Sequence, residues 1–374
     1  MIDVKKNLNL EQIEKLTERK VLWEIERLKG GIPYIPINGV FRNMVEEDIS
    51  WWTNGFWGGQ LWQLYNSSKN EKYKKAAEKN EELLDKALML FEDLHHDVGF
   101  MWQLTSVANY KQTGNEVSRT RGLHAATLLA GRYNPKGKFL RCWNEEKTGW
   151  VIIDSLMNVP LLYWATEETG DPRFKEIAEE HVNTVLTYMV RPDGSCSHIA
   201  VFDPKTGEYI KELAGQGYAA DSAWTRGQSW GIYGLALSYK YTKNTDYLVA
   251  AKKVANYFIA NISQSGYIPL VDFRAPKDDE RHDTSAGLCA ACGLLELSSH
   301  LEENDAILYQ NIAKKIVDNT INKFADFELD HDGIIGGGTV AFHRDVENEV
   351  PIIYTDYFFI EALLRLQGKE FNIW

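Results

Sequence analysis

The chain has 374 residues, and 41 Lys and Arg against 53 Asp and Glu give it a formal net charge of −12. That acidic balance argues against a nucleic-acid partner, because phosphate-backbone binding shows as a basic patch or stripe. Four cysteines in this length do not make a disulfide framework, and nowhere do about 18 uncharged apolar residues follow one another to span a membrane.

The segment Met1–Leu10 has no apolar run of signal-peptide length, so cytoplasmic residence is the expectation. Beyond it, apolar residues recur with the helical period of about 3.6. The pattern predicts helices over 9–29, 53–67, 70–93, 100–113, 115–132, 154–169, 171–190, 222–242, 245–262, 283–301, 304–323 and 354–367. Strand-like alternation is confined to short stretches near 195–211 and 266–274. Five helices open on a polar turn, at Asn70-Glu-Lys, Gly114-Asn-Glu, Gly170-Asp-Pro, Asn244-Thr-Asp and Asn304-Asp-Ala. In each, an Asn, Asp or Thr is placed to cap the new helix, and Pro172 suits a first helical position.

The helices alternate in character. Those after the polar turns carry Lys and Glu on one face, as from Lys72 to Lys86, and form an outer layer. Those before the turns, such as Gly227-Gln-Ser-Trp-Gly-Ile-Tyr-Gly and Thr284-Ser-Ala-Gly-Leu-Cys-Ala-Ala-Cys, are poor in charge, as helices buried all round are. Six hairpins, the first helix closing against the last, predict an all-α (α/α)6 barrel with a little β structure in rim loops, residues 1–374 forming one domain. Cys289 and Cys292 share a face of an inner helix with no second Cys or His pair nearby, which places them in the core and not on a metal.

Trp, Tyr and Phe make up 12% of the chain, and many lie beside Asn, Gln, Asp, His and Gly, as in Trp51-Trp-Thr-Asn-Gly-Phe-Trp57. An aromatic face packs on C–H surface while neighbouring amides and acids take hydroxyls, so a sugar is the leading ligand class. The inner helices open on polar or aromatic clusters: Trp52-Thr-Asn54, His95-His-Asp-Val-Gly-Phe100, Asp154-Ser-Leu-Met-Asn158, Asp221-Ser-Ala-Trp-Thr-Arg226, His282-Asp-Thr-Ser285 and Tyr354-Thr-Asp-Tyr357. Parallel inner helices would gather all six at one mouth. Asp221, Asp283 and Asp356 are expected as caps or framework acids, whereas Asp97 lies in an irregular polar segment. Asp154 follows the apolar Trp150-Val-Ile-Ile153, a setting that raises a carboxyl pKa as a proton donor needs. Arg226 and Trp230 are four apart, so an anionic ring could lie between charge and indole; a structural Arg with a core Trp is the alternative.

At these clusters the sequence resembles the unsaturated glucuronyl hydrolases, glycoside hydrolase family 88. The matching stretches are Trp-Thr-Asn-Gly-Phe-Trp from Trp52, His-Asp-Val-Gly-Phe-Met from His96, Asp-Ser-Leu-Met-Asn-Val-Pro-Leu-Leu-Tyr-Trp-Ala from Asp154 and Asp-Ser-Ala-Trp-Thr-Arg-Gly-Gln-Ser-Trp-Gly from Asp221. The resemblance implies an (α/α)6 barrel without metal or cofactor. It implies a substrate left by a polysaccharide lyase, a glycosaminoglycan-type disaccharide with a Δ4,5-unsaturated uronic acid at its non-reducing end. Asp154 matches the general acid/base that protonates C4 of the vinyl ether and activates the water adding at C5. Asp97 matches a second essential carboxylate, and Trp52, Asn54, His96, Trp143, His198, Gln216, Arg226 and Trp230 match pocket positions. Arg226, helped by Gln216 and Trp230, is expected on the uronate carboxylate.

The 336–344 loop lacks the Ser- and Lys-containing pattern of members that favour sulfated substrates, which leaves His343 and Arg344 as its candidates to meet an anion. Related unsaturated rhamnogalacturonyl hydrolases share the chemistry with a different leaving sugar. A noncatalytic sugar-binding protein would use the same aromatic mouth.

Overall fold

A computed structural model of the protein describes residues 8–91, 93–344 and 346–374. Among them twelve long helices follow one another: α1 (Leu10–Leu28), α2 (Asn54–Ser68), α3 (Glu71–Leu88), α4 (Val98 to Thr113), α5 (Glu116–Ala130), α6 (Pro160–Thr169), α7 (Arg173–Tyr188), α8 (Thr225–Thr242), α9 (Thr245–Ile262), α10 (Thr284–Ser298), α11 (Glu303–Phe324) and α12 (Ile353–Leu366). Helix α4 widens into a π turn over Gln103–Val107. No described helix is long and apolar enough to cross a membrane.

The local chemistry of the chain sets most of these boundaries. Asn70, Asn115 and Asn244 each accept a hydrogen bond from the amide two residues on, which satisfies a donor the helix leaves free. Asn304, expected as a cap, lies inside α11 instead, because that helix already begins at Glu303. Helix α6 starts at Pro160 and not near 154: Pro160 has no N–H to give and suits the first helical turn. The residues before it, Ile153–Met157, form a 3-10 turn.

The even-numbered helices make a closed inner ring. Helix α2 packs on α4, α4 on α6, α6 on α8, α8 on α10, α10 on α12, and α12 returns to α2. The odd helices lie outside, α1 against α12 and each of the others against its hairpin partner. Burial follows this division, since every residue of α8 from Thr225 to Ser238 is buried. In α3 only one stripe is, at Tyr73, Ala77, Asn80, Glu81, Leu84 and Ala87. The ring is tight: a Cβ on Gly234 of α8 would come within 2.7 Å of the Leu156 backbone.

At the rim, β1 (Pro33–Ile37) pairs with β2 (Val40–Asn43), and β3 (Tyr133–Asn134) with β4 (Phe139–Leu140). The strands β5 (Trp150–Ile152), β6 (Ile199–Phe202) and β7 (Tyr209–Leu213) form an antiparallel sheet in that order. The 195–211 stretch therefore holds strand structure. The 266–274 stretch makes isolated bridges, Leu270 with His282 and Asp272 with Trp224.

Inside the ring, aromatic side chains stack into a plug. The Phe100 ring lies 5.7 Å from Trp52, 5.3 Å from Trp230 and 6.1 Å from Trp374. Trp374 continues to Tyr233 and Tyr357 at 6.2 Å each. Glu361 ties the plug down, accepting Trp374 Nε1 at 3.0 Å, Arg365 Nε at 2.9 Å and the Tyr233 hydroxyl. Cys289 and Cys292 are buried free thiols in the wall of the ring.

Glu361→Ala would leave a buried guanidinium short of a partner and two donors unpaired, at a cost of about 3 kcal/mol. The urea unfolding midpoint is expected to fall accordingly, and a midpoint equal to the parent's would remove Glu361 from this role.

Candidate active site

Because each outer helix carries the chain back, the inner helices run parallel and their N-terminal ends meet at one mouth. A cavity of about 640 Å³ opens there, within the size range of small-molecule sites. Its wall comes from the segments that precede the inner helices. Trp51 and Trp52 precede α2, His95, His96 and Asp97 precede α4, and Trp143, Lys147, Trp150 and Asp154 precede α6. His198 and Gln216 precede α8, Val340 to Ala341 and His343 to Arg344 precede α12, and Tyr34 reaches in from β1.

Asn158 joins two of these helix starts. Its Oδ1 accepts the Phe100 amide at 2.7 Å, and its Nδ2 donates to Asp97 Oδ1 at 3.2 Å and to the Asp154 carbonyl at 3.3 Å. Gly99 permits the approach, since a Cβ there would fall 2.5 Å from Asn158 Cα.

The two carboxyl groups so placed titrate in opposite directions. Burial pushes the Asp97 carboxyl up, but in the acid range the protonated His96 imidazole, with His95 and the Asn158 amide, outweighs it and holds the carboxyl below the ordinary range. His95 Nδ1 lies 2.9 Å from Asp97 Oδ2. For Asp154, burial and then the negative charge of Asp97 push the carboxyl up to about 7. One acid is thus held toward its ionised form while its neighbour exchanges its proton around neutral pH.

The β5–β6 register delivers the next group. Ile152 faces Ile199, and the Ile153 amide donates to the His198 carbonyl at 3.1 Å, which sets His198 Nε2 3.7 Å from Asp154 Oδ1. The Gln216 amide donates to His198 Nδ1 at 2.8 Å, closer than the Ala214 oxygen at 3.2 Å, so the ring proton belongs on Nε2. Burial lowers the His198 pKa to about 3 and leaves the ring neutral. His96 is oriented the other way. Its Nδ1 donates to the Cys142 carbonyl at 3.0 Å, so its Nε2 presents a lone pair 3.3 Å from Asp97 Oδ1.

Trp51 Nε1, His96 Nε2, Asp154 Oδ1 and His198 Nε2 are buried polar atoms without a hydrogen-bond partner in the protein, and all four belong to cavity-lining residues. Leaving such a group unpaired costs about 1–3 kcal/mol. Facing the cavity, these atoms are free to meet a polar ligand. His95, His96 and Asp97 also offer three ligand atoms within 4.8 Å of one another, the one set among the described residues able to hold a cation.

Of the residues singled out in the sequence, Trp52, His96, Asp97, Trp143, Asp154, His198 and Gln216 line this cavity, whereas Asn54, Arg226 and Trp230 do not. Asn54 Nδ2 donates to the Asp48 and Ile49 carbonyls at 3.0 Å each and fastens the turn before α2. Trp230 is wholly buried in the plug. Arg226 bonds Asp283, the Thr339 carbonyl at 2.8 Å and the Val340 carbonyl at 2.6 Å, with Trp224 and Tyr354 rings against it. A buried guanidinium is neutralised where it sits, so Arg226, paired with Asp283, braces the wall from behind.

Among the framework acids, Asp283 caps α10 and Asp356 accepts the Ile334 and Ile335 amides, at 3.0 and 2.9 Å. Asp221 is exposed and caps nothing: α8 begins one turn later, after Trp224. Tyr34 and Lys147 were not singled out, and Trp51, His95 and Trp150 stood in quoted stretches without a role of their own. Trp51 and His95 adjoin named residues and were within reach of the motif reading, but nothing local marks Tyr34 or Lys147.

A model of Glycosyl Hydrolase Family 88 matches residues 37–265. The chain belongs to this family. It is 36% identical over 339 residues to the unsaturated glucuronyl hydrolase of Bacillus sp. (strain GL1), across 88% of this chain and 90% of that one. It is also 36% identical to the unsaturated chondroitin disaccharide hydrolase of Streptococcus pneumoniae, across 87% and 84%. The crystal structure of the unsaturated glucuronyl hydrolase from Bacillus sp. GL1 matches with a TM-score of 0.92 at 32% identity, covering 96% of this chain and 97% of that one. The protein is accordingly a glycoside hydrolase with the α/α barrel of its family. The matched stretch stops at residue 265, yet the ring closes through α12 and the cavity wall includes 340–344.

Arg226→Ala tests the brace. It would leave Asp283 buried without its counter-ion, a loss of about 3–5 kcal/mol, and thermal unfolding is expected at a clearly lower temperature. Parent-like stability with a raised KM alone would return Arg226 to the cavity.

Proposed function

We propose that the protein releases the Δ4,5-unsaturated uronic acid from the non-reducing end of lyase-generated oligosaccharides, glycosaminoglycan-type disaccharides among them. The observation that carries this reading is the split carboxyl pair, Asp97 held below the ordinary range and Asp154 pushed up to about 7, in an aromatic cavity of sugar size. The relatives' names, an unsaturated glucuronyl hydrolase and an unsaturated chondroitin disaccharide hydrolase, support the same substrate class.

The unsaturated ring is a vinyl ether, with C4=C5 conjugated to the ring oxygen. Asp154 gives its proton to C4, and the positive charge that develops at C5 is shared with the ring oxygen. The ionised Asp154 then takes a proton from the water that adds to C5, which regenerates the acid. The C5 hemiketal opens to a ketone, its ring oxygen remaining on C1 as a hydroxyl. The C1 hemiacetal so formed releases the second sugar and leaves a 4-deoxy-5-keto uronate. No displacement occurs at C1, so the carboxylate-separation rule for inverting and retaining glycosidases does not govern this site.

The remaining groups position the ring. Asp97 Oδ1 and His96 Nε2 are two acceptors facing each other at 3.3 Å, an arrangement that a ring hydroxyl satisfies by donating between them. His198 Nε2–H, beside Asp154, is the donor for the uronate carboxylate in place of Arg226. Trp52 and Trp143 supply the flat apolar faces.

Asp154→Asn is expected to lose about a thousandfold in turnover while still binding an unsaturated chondroitin disaccharide in calorimetry. Turnover at the parent level would sink the mechanism. Loss of the C4=C5 ultraviolet absorbance in unsaturated chondroitin, hyaluronan and rhamnogalacturonan disaccharides ranks the leaving sugars, and equal cleavage of saturated glucuronides would replace hydration with displacement at C1. Because Asp154 must carry its proton, kcat/KM should fall as pH rises through about 7. Asp97→Asn removes the charge that helps raise Asp154, so the alkaline limb of the residual activity should move to lower pH.

A further inference from the structure

One cation on the cavity wall has no part in the chemistry above. Asp97 and Asp154 are largely buried, with side chains 9% and 13% exposed, and the plug around Phe100, Trp230 and Trp374 fills the barrel interior. The uronate ring therefore enters first and the leaving sugar remains at the mouth. Lys147 stands there, exposed, at the end of the one-turn segment Glu145–Lys147. Its ammonium lies 4.4 Å from the centroid of Trp143 and 5.4 Å from that of Trp150, and the two indoles, 5.6 Å apart, line the same cavity.

The other basic groups near the mouth are already committed. Arg344 pairs with Glu347, whose second oxygen lies 3.6 Å from Arg42. His343 Nε2 donates to the Tyr218 carbonyl at 2.8 Å, and Arg226 belongs to Asp283. Among the described residues that line the cavity, Lys147 is the cation that no carboxylate pairs. Two aromatic faces hold it in place without neutralising it, which leaves its charge available to an acidic ligand.

We infer that Lys147 forms an anion subsite for the leaving sugar and favours substrates whose second residue carries a sulfate ester. This rests on the proposed reading of the site. In a uronate–hexosamine disaccharide the carboxylate belongs to the uronate, so an acidic group on the leaving sugar is a sulfate. With the sugar's C–H face near the Trp143 and Trp150 indoles, a sulfate at its edge accepts charge-assisted hydrogen bonds from the ammonium. The anion-meeting role expected of His343 and Arg344 passes to Lys147.

The test compares kcat and KM for unsulfated and singly sulfated unsaturated chondroitin disaccharides in the parent, Lys147→Met and Lys147→Arg, at low and high salt. The parent should favour a sulfated member by about fivefold in kcat/KM, the size of one exposed charge contact. Lys147→Met should erase that preference through KM, Lys147→Arg should restore most of it, and salt should weaken it. A parent without preference, or a preference that survives Lys147→Met, would overturn the subsite. A parent that cleaves neither disaccharide would overturn the reading of the reaction and the subsite with it.

Discussion

A single carboxamide, that of Asn158, holds the two buried acids of the mouth in register. Its oxygen is fixed by the Phe100 amide, its nitrogen reaches Asp97 and the Asp154 carbonyl, and the contact exists because Gly99 has no side chain. The electrostatic asymmetry follows from that geometry. Asp97 is fed by nitrogen donors and stays charged; Asp154 has no such donors, is desolvated, and feels the charge of its neighbour. The closed ring brings the α4 and α6 starts together, but Asn158 makes the two acids one electrostatic unit.

The excess acids behind the formal charge of −12 are not all on the surface. Glu24 and Asp356 are buried where α1 meets the loop before α12, with Lys20 close by. Burial, and for Glu24 also the Asp356 charge, push their pKa values up to about 8 and about 7. Glu24 accepts the Gly333 amide at 2.8 Å, while nearby Asp332 accepts the Phe41 amide at 2.8 Å and pairs with Arg27 at 3.0 Å. These acids fasten the first helix and the β1–β2 hairpin to the end of the chain and serve closure of the ring. An acidic protein can bind an acidic sugar because its site has its own local balance of charge.

Much of the barrel was legible from local rules. Helical period, Asn caps and the contrast between charged and uncharged helices depend on near neighbours in sequence, and they located twelve helices and the layer of each. Asp154 was legible for a related reason, since the apolar strand before it announces its desolvation. Placement was not legible where long-range pairing decides. Arg226 meets Asp283, which is 57 residues away, and nothing in its own helix distinguishes a brace from a clamp. The spacing of Trp230 is the same whether its indole faces a ligand or Phe100. Tyr34 and Lys147 reach the cavity from a rim hairpin and a one-turn loop, whose placement no periodicity encodes. Pro160 did carry a signal, because a proline in the first turn marks where α6 begins and puts Asp154 in the turn ahead of it.

The aromatic plug also governs traffic. Among the described residues, Phe100, Trp230 and Trp374 stack across the interior of the ring behind the cavity. A chain cannot thread through and advance by one residue after each cut, as it does in a tunnel-shaped enzyme. On the proposed reaction, both products leave by the way the substrate entered, the outer sugar first and the inner keto acid behind it. Each catalytic cycle is therefore a separate encounter, and the architecture suits short fragments already cut loose by another enzyme over long polymers.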